Sequence, residues 1–263
     1  MDGAGLQMSE TKVKIFSGLE DLSRAAAVRF TELARERVQQ GKVFTAALSG
    51  GSTPRTFLEI LAGPEFSQRI QWESVHLFQV DERCVPPEHL QSNYRMIHGT
   101  LLRLVPSAAD NFHRMKAELG DREAASAEYE EEIRSVLASP DELLPRFDLI
   151  FLGLGSDGHT ASLFPGSAAL AESSKWVCPN YVEKLQMHRL TLTYPVLNAA
   201  SEIVFLVAGE GKSEILRQVL EGGREPKRFP AQGIQPVEGG LNWYLDRAAA
   251  QHLRKNHSNR KSS

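Results

Sequence analysis

The sequence predicts one α/β domain built on a single doubly wound, mainly parallel β-sheet with helices on both faces. Strand-like and helix-like segments alternate along the 263 residues, which is the pattern of α/β folds. Apolar runs such as FDLIFLGL and EIVFLVA are nearly continuous, as in parallel strands that helices cover on both sides. Because no internal repeat or long linker divides the chain, residues 12–253 are expected to form one domain, with residues 1–11 and 254–263 as flexible termini.

The first half of the chain begins with helix and strand signals in turn. Residues 17–41 open with Ser17 and Glu20, a capping-box pattern, carry apolar residues at helical spacing and stop at Gly41. The segment KVFTAALS then predicts a buried strand, and GGSTPRTFLEILA a glycine turn followed by a helix with Pro54 in its first turn. A strand over SVHLFQVDER and a helix near SNYRMIHGTLLRLV follow.

The second half continues the same alternation. An acidic amphipathic helix lies within DREAASAEYEEEIRSVLA and precedes the strand RFDLIFLGLG. Then come HRLTLTYP, the helical VLNAA, the strand EIVFLVAG, the helix KSEILRQVLEG, and LNWYLDRAAAQHL as a strand leading into a helix. These segments complete the predicted sheet and its covering helices.

Composition excludes several classes of partner. The net charge of −3 provides no basic surface for nucleic acid, and no apolar run approaches the roughly 18 residues of a membrane span. The opening MDGAGLQMSE lacks the basic and apolar regions of a secretory signal, which favours a cytoplasmic location. Two cysteines, Cys84 and Cys178, are too few for a disulfide framework or a zinc site, and no His, Cys or Asp cluster has metal-ligand spacing. We expect no metal.

The glycines of FLGLGSDGHTASLFPGS have the G-x-G-x-x-G spacing of dinucleotide-binding turns. That motif requires an uninterrupted helix behind the third glycine and then a second strand ending in an acidic residue. Here Pro165 and Gly166 interrupt the chain, and the stretch ALAESSKW around Glu172 is not a strand. We therefore expect no nicotinamide or flavin cofactor, and no cofactor of another kind.

Two further motifs are incomplete. The stretch GEGKS ends like a Walker A loop, but Leu206 occupies the position where that motif needs its first glycine. Ser156 would lie in a nucleophile elbow only if Leu154 were glycine. Binding of a nucleoside triphosphate and covalent serine catalysis are both disfavoured.

Three polar segments follow probable parallel strands, and the carboxyl ends of such strands are where open α/β sheets bind ligands. In SGGSTP, the residues Gly50, Gly51, Ser52 and Thr53 offer main-chain amides and hydroxyls at the start of a helix, which suits an anion; a plain capped turn is the alternative. In VDERCVPP, the side chains of Asp81, Glu82 and Arg83 suit sugar hydroxyls or the orientation of another side chain, although surface pairing is an equal alternative.

The third segment carries Asp157 and His159, and a histidine in such a loop exchanges protons near neutral pH. Arg189 begins RLTLTYP and Lys212 begins a helix after EIVFLVAG. Each cation taken alone is a solvated charge, but together with SGGSTP they indicate a phosphate pocket. The sequence thus predicts a site that combines an anion-binding loop, SGGSTP, here called the anion cradle, with the titratable imidazole of His159.

At these segments the sequence resembles the 6-phosphogluconolactonases, a family of the glucosamine-6-phosphate deaminase and ribose-5-phosphate isomerase type of α/β fold. The similar segments occur in family order: LSGGSTPRTFLEIL, LFQVDERCVP with SNYRM, FDLIFLGLGSDGHTASLFPGS, HRLTLTYPVLNAA, VAGEGKSEIL and PAQGIQPVEGGLNWYLDRAAA. The third is the most specific, and together they cover roughly residues 12–253.

The resemblance implies hydrolysis of 6-phospho-D-glucono-1,5-lactone to 6-phosphogluconate in the oxidative pentose phosphate pathway, by a monomer or homodimer whose partner is the small phosphorylated lactone. It implies that His159 is catalytic, with Asp157 beside it, and that the SGGS and DER segments, Arg189 and Lys212 contact substrate. In this scheme a neutral His159 takes a proton from the attacking water, main-chain amides of the glycine-rich segment near His159 stabilise the oxyanion, and either Asp157 or Asp81 orients the imidazole.

Two alternatives remain open at this point. Amino-sugar phosphate deaminases look similar at the glycine loop and the histidine, but they carry a carboxylate before the proline that follows the histidine loop, where this chain has Phe164. A non-catalytic sugar-phosphate sensor would keep the fold and the pocket without the chemistry. Ammonia release from glucosamine 6-phosphate and lactone hydrolysis above an enzyme-free blank distinguish these alternatives.

Overall fold

Strands and helices alternate along the computed structural model, which describes residues 11–137 and 143–254. The strands in these ranges are β1 (Thr11–Phe16), β2 (Phe44–Leu48), β3 (Val75–Gln79), β4 (Asp81–Arg83), β5 (Phe112–His113), β6 (Leu149–Leu152), β7 (Val177–Val182), β8 (Met187–Leu192), β9 (Glu202–Val207) and β10 (Gly240–Asp246). The α-helices are α1 (Leu19–Gln39), α2 (Ser52–Ala62), α3 (Pro64–Ser67), α4 (Asn93–Ile97), α5 (Pro106–Ala109), α6 (Arg122–Leu137), α7 (Tyr194–Ala199), α8 (Ser213–Glu221) and α9 (Arg247–Ala250).

Among the described residues, seven strands form the main sheet in the order β1-β10-β9-β6-β2-β3-β5, and each neighbouring pair is parallel. The predicted mainly parallel sheet with covering helices is therefore confirmed. Side chains alternate along each strand, so that Ile150 packs in one apolar core and Phe151 in the other. Helices α1 and α2 contribute to the core that contains Phe151, and α6 and α8 contribute to the core that contains Ile150.

A second, smaller sheet of three antiparallel strands, in the order β4-β8-β7, accompanies the main sheet and was not predicted. The expected single strand over SVHLFQVDER is two strands, because the chain leaves the main sheet at Val80. The Val80 amide donates to Leu48 of β2, and the Val80 carbonyl accepts from Leu192 of β8. As a result, the DER segment pairs with β8, and Arg83 lies opposite Arg189.

The sequence predicted the presence of these helices and strands more accurately than the residues at which they begin and end. Helix α1 begins at Leu19 with Gly18 as its N-cap, and the Ser17 hydroxyl donates to the Asp21 carboxylate, so the expected capping box is wrong. Strand β1 begins at Thr11, one residue before the expected domain boundary. The expected flexible termini otherwise fall on residues 1–10 and 255–263, which lie outside the described residues, apart from Arg254. None of the helices in the described ranges is both long and apolar enough to cross a membrane.

Candidate active site

A cavity of about 260 Å³ opens where β2, β6 and β9 of the main sheet end, beside the start of β4. Its wall contains residues of the glycine loop before α2, the DER segment, the loop after β6 and the turn before α8. The parallel register of β2, β6 and β9 carries these segments to one edge of the sheet, where doubly wound folds bind ligands. The predicted site segments therefore meet at one cavity.

The glycine loop forms the cavity wall at the N-terminus of α2, and Gly50, Gly51, Ser52 and Thr53 all line it. A Cβ atom at Gly50 would lie 1.7 Å from Oδ1 of Asn93, so any larger residue here would displace the Asn93 side chain. Gly51 has a φ of 114°, a conformation that L side chains rarely adopt. Within the described chain, the amides of residues 51–53 donate to no protein acceptor. These amides and the positive end of α2 together suit an anion.

Lys212 lies on the same cavity, in the turn that connects β9 to α8. This turn is fixed from β10, because both carboxylate oxygens of Asp246 accept from the Gly209 amide at 3.0 and 3.1 Å. Burial lowers the pKa of Lys212, and the charge of Asp157 opposes that shift. In the described part of the chain no carboxylate pairs with the Lys212 ammonium, which leaves this cation available to a ligand.

The imidazole of His159 also faces the cavity, and Asp157 holds it. Nδ1 of His159 lies 2.5 Å from Oδ1 of Asp157, and the His159 amide lies 3.3 Å from the same oxygen. A carboxylate only accepts, so Nδ1 carries the proton of this hydrogen bond. Nε2 makes no hydrogen bond to the described residues, and it is the ring nitrogen available to a ligand or to water.

Asp157 remains an anion in this arrangement. Burial acts to raise its pKa, but the hydrogen bonds and charge of His159, aided by Lys184, hold the pKa of Asp157 well below its usual range. Nζ of Lys184 lies 3.3 Å from Oδ2, the second carboxylate oxygen, at the exposed edge of the site. Asp157 itself is not part of the cavity wall, and it acts on the cavity through His159.

Glycines shape the backbone around this histidine. The Gly155 amide donates to the His159 carbonyl at 2.8 Å, and the Gly158 amide donates to the Gly155 carbonyl at 3.1 Å. A Cβ atom at Gly155 would lie 2.0 Å from Nδ1 of His159, and one at Gly158 would lie 2.9 Å from the Phe229 ring. Gly158 also has a φ of 83°. Within the apparent dinucleotide motif, Gly155 therefore makes room for the imidazole and Gly158 for the Phe229 ring.

The DER segment has divided roles. Asp81 lines the cavity, and its Oδ2 accepts from the Ser162 hydroxyl at 2.6 Å while Oδ1 accepts from the Asn93 amide group at 3.2 Å. The carboxylate bonded to His159 is therefore that of Asp157, not that of Asp81. Glu82 is buried and accepts from the backbone amides of Asn93 and Tyr94, both at 2.7 Å, so it anchors the start of α4.

Arg83 lines the cavity in a fixed orientation. Asn93 lies beside it on the cavity wall and was not predicted from the sequence. Nη1 of Arg83 donates to Oδ1 of Asn93 at 2.6 Å and to the Gln91 carbonyl at 2.8 Å. Asn93 thereby links the glycine loop, Asp81 and Arg83. Its position in SNYRM was the available signal, because the helix start there brings its side chain back to the DER segment.

Arg189 differs from the other predicted binding residues, because it is buried behind Asp81 and is not part of the cavity wall. Its Nη1 lies 3.3 Å from the Ser162 hydroxyl and 3.9 Å from Oδ2 of Asp81. Burial lowers the pKa of Arg189, and the charge of Asp81 opposes that shift. Nε of Arg189 has no hydrogen-bond partner among the described residues. Arg189 thus supports the wall that Asp81 forms.

The donor atoms of the site favour an anionic organic ligand over a metal ion. Amides, a lysine and an arginine line the cavity, and within residues 11–137 and 143–254 no three His, Cys, Asp or Glu side chains are grouped to hold a metal. A hydrogen-bonded imidazole and an anion cradle at the carboxyl edge of a parallel sheet define an α/β enzyme with a small, polar substrate site.

Comparison with known proteins specifies the family. The family model described as glucosamine-6-phosphate isomerases/6-phosphogluconolactonase matches residues 17–243, and the chain belongs to this family. A 6-phosphogluconolactonase of Synechocystis is 38% identical over 233 residues, which cover 89% of this chain and 94% of the relative. A 6-phosphogluconolactonase of Nostoc is 37% identical and covers 88% of this chain and 93% of the relative.

Solved structures give the same result for the fold. The 6-phosphogluconolactonase from Trypanosoma cruzi superposes with a TM-score of 0.82 at 25% identity, over 94% of this chain and 98% of that one. A structure of devB protein has a TM-score of 0.85 at 32% identity, over 93% of this chain and all of the other. A monomeric glucosamine-6-phosphate deaminase shares the fold, with a TM-score of 0.76 at 20% identity.

Proposed function

We propose that the protein hydrolyses 6-phospho-D-glucono-1,5-lactone to 6-phosphogluconate, a step of the oxidative pentose phosphate pathway. The observation that carries this proposal is the shared cavity, in which the His159 imidazole, held by Asp157 from behind, faces the same space as the glycine loop and Lys212. A proton-transfer group and an anion site then act on one small molecule. The relatives named 6-phosphogluconolactonase that cover most of the chain support the same reaction.

The phosphate binds to the glycine loop and Lys212. The amides of residues 51–53 have no protein acceptor in the described chain, and the Lys212 ammonium faces the same cavity. Binding energy from this remote group orients the lactone carbonyl for attack, which converts affinity into rate. Arg189, buried behind Asp81, contributes its charge to the site without a direct contact.

Proton transfer is assigned to Nε2 of His159. With Nδ1 donating to Asp157, Nε2 carries a lone pair and takes a proton from the water that attacks the lactone carbonyl carbon. The tetrahedral intermediate collapses as the imidazolium returns that proton to the departing ring oxygen, so no covalent enzyme intermediate is needed. Asp157, which remains an anion, holds the imidazole and stabilises the imidazolium.

The oxyanion needs a donor that is not already engaged. The expected donors were amides of the glycine-rich segment near His159. The amides of Gly155 and Gly158 already donate to carbonyls of their own loop, so these two amides do not serve this role. Ser156 lines the cavity next to His159, and its amide donates to no acceptor among the described residues, so we assign the role to this amide. Asp81 and Arg83 are assigned to the sugar hydroxyls.

The deaminase alternative requires an additional acid or base before Pro165. Phe164 occupies that position and provides none, while its ring covers the His159 imidazole. The deaminase that shares this fold is 20% identical, which concerns the fold alone. A non-catalytic sugar-phosphate sensor does not require a proton-transfer group, such as the hydrogen-bonded imidazole at this cavity. Lactone hydrolysis is therefore the activity that the site favours.

The test is a time course of lactone hydrolysis against an enzyme-free blank, at a pH low enough to suppress the spontaneous reaction. Wild-type protein should hydrolyse the lactone, His159→Ala should lose about 10²- to 10⁴-fold in kcat, and the exposed-histidine control His98→Ala should retain full activity. Ammonia release from glucosamine 6-phosphate by the wild type would instead support a deaminase. Binding of 6-phosphogluconate without any hydrolysis would support a sensor.

A further inference from the structure

The ring of Phe164 lies flat against the catalytic imidazole. The ring centroids of His159 and Phe164 are 3.9 Å apart and their planes differ by 20°. The Arg189 guanidinium carbon lies over the same phenyl ring, 5.1 Å from its centroid. Phe164 is 5% exposed, so the phenyl side of the stack is packed into the protein. One phenyl ring therefore contacts both the imidazole of the cavity and the buried arginine behind the cavity wall.

A tight turn between the two aromatic residues creates this stack. Ala161 has a φ of 50°, which is uncommon for a residue with a side chain, and Thr160 and Leu163 form an antiparallel bridge. The Leu163 amide donates to the Thr160 carbonyl at 2.9 Å. The turn reverses the chain after His159, so that Phe164 returns to the imidazole.

We infer that Phe164 is a positioning residue, which fixes the plane of the His159 imidazole so that Nε2 points at the substrate; this inference rests on the proposed lactonase function. The hydrogen bond from Nδ1 to Asp157 fixes one atom of the ring but leaves the ring free to tilt about that bond. A flat contact with a buried phenyl ring removes the tilt. Two constraints of different kind together define the direction of Nε2.

Arg189 also contributes to the position of the Phe164 ring. Its guanidinium is held by the Ser162 hydroxyl at 3.3 Å, and Ser162 belongs to the turn that presents Phe164. Ser162 also donates to Asp81 at 2.6 Å, which ties the turn to the cavity wall. A cation over an aromatic face is attracted to it, so Arg189 keeps the phenyl ring against the imidazole. This role explains why a residue expected to contact substrate is buried.

The test compares Phe164→Leu and Phe164→Tyr with the matched control Phe66→Leu. Phe66 is 1% exposed, also lies under an arginine, with Arg24 at 5.5 Å, and is remote from the cavity. We expect Phe164→Leu to lower kcat about tenfold with KM changed less than about twofold, because a small misplacement of a catalytic group costs rate rather than binding. Phe164→Tyr keeps the aromatic face and should restore most of kcat. Phe66→Leu should lower the melting temperature without lowering kcat.

A second measurement needs no substrate. Proton and nitrogen NMR signals of His159, identified by their loss in His159→Ala, report the hydrogen bond between Nδ1 and Asp157. In Phe164→Leu the Nδ1 proton should exchange with water at least about tenfold faster than in the wild type, because the ring tilts. Phe66→Leu should leave that exchange unchanged.

The outcomes separate the two proposals. If Phe164→Leu keeps kcat within about twofold of the wild type, or if its His159 signals are unchanged, the positioning role is overturned. An equal loss of kcat in Phe66→Leu would also overturn it, since the effect would then be one of general stability. If the wild type hydrolyses no lactone, the proposed function fails, and the NMR comparison still decides whether Phe164 orients the imidazole.

Discussion

Oδ1 of Asp157 lies 2.5 Å from Nδ1 of His159, although only one residue separates the two in the chain. The intervening Gly158, with its φ of 83°, turns the backbone so that the two side chains meet. This contact fixes which ring nitrogen carries the proton and leaves Nε2 without a hydrogen bond to the described residues. Several consequences can be measured.

Replacing Asp157 by Asn should lower kcat by about 10²-fold or more with little change in KM, because an amide cannot stabilise the imidazolium and can favour the wrong tautomer. The carboxylate of Asp157 stays ionised through the assay range, since its pKa is held well below its usual value, so its protonation cannot mimic the mutation. Steady-state kinetics measure the effect. Asp148→Asn is the control, because Asp148 accepts from the Thr45 amide at 2.9 Å and does not line the cavity. This variant should have a lower stability but an unchanged kcat. Equal kcat in Asp157→Asn and wild type would contradict the assignment.

Gly155→Ala should displace the imidazole, because the added Cβ would lie 2.0 Å from Nδ1 of His159. We expect a loss of kcat of about 10²-fold, as for a misplaced catalytic group. Gly99→Ala is the matched control, since a Cβ there meets nothing within 4 Å and Gly99 lies in the π-helical turn after α4. A normal kcat in Gly155→Ala would mean that His159 can move without loss and is not the base.

Lys212→Met should raise KM for the phosphorylated lactone about tenfold or more, the usual effect of losing one hydrogen bond to a charged group. The same variant should leave KM for the unphosphorylated gluconolactone nearly unchanged, because only the phosphate interacts with this cation. Lys116→Met, which removes a surface lysine paired with Glu128, is the charge-matched control. If both lactones weaken equally, Lys212 contacts the sugar ring and the phosphate lies elsewhere.

The positions of the glycine loop, the His159 loop and Lys212 could be predicted from sequence because the pattern is local. Each follows a nearly continuous apolar strand, and parallel strands deliver their carboxyl ends to one edge of the sheet. Short motifs such as SGGSTP carry their own turn and helix-start signals. For these segments, knowing the strand is enough to place the residue near the cavity.

The features that the sequence did not predict depend on pairing between distant segments. The DER segment leaves the main sheet and pairs with β8 as strand β4. No local sequence pattern in either strand predicts this pairing. Arg189 becomes buried through the same pairing, and Asn93 reaches the cavity through its contacts with Asp81. The choice between Asp157 and Asp81 as partner of His159 likewise required distances, because both residues follow strands of the main sheet.

Away from the cavity, His113 should make the fold sensitive to acid. Its ring stacks on Phe78 at 4.2 Å and lies 3.0 Å from Nδ1 of His76. Burial, and then the neighbouring His76, lower the pKa of His113 to about 4, although the Glu132 carboxylate lies 3.5 Å from its other ring nitrogen. The unfolded chain, with an ordinary histidine pKa near ~6.5, therefore binds a proton that the folded chain does not accept.

The sign of the effect follows from this difference. The stabilisation from neutral His113 is fully present above about pH 6.5 and is lost as the pH falls toward 4. The loss of unfolding free energy is about 3 kcal/mol at pH 4, at 1.36 kcal/mol per pKa unit. Urea unfolding of the wild type between these pH values should show a declining free energy of unfolding. In His113→Gln the decline should be shallower, while His98→Gln, which changes an exposed histidine, should reproduce the wild-type slope. Identical slopes in all three proteins would mean that His113 accepts its proton as readily in the fold as in the unfolded chain.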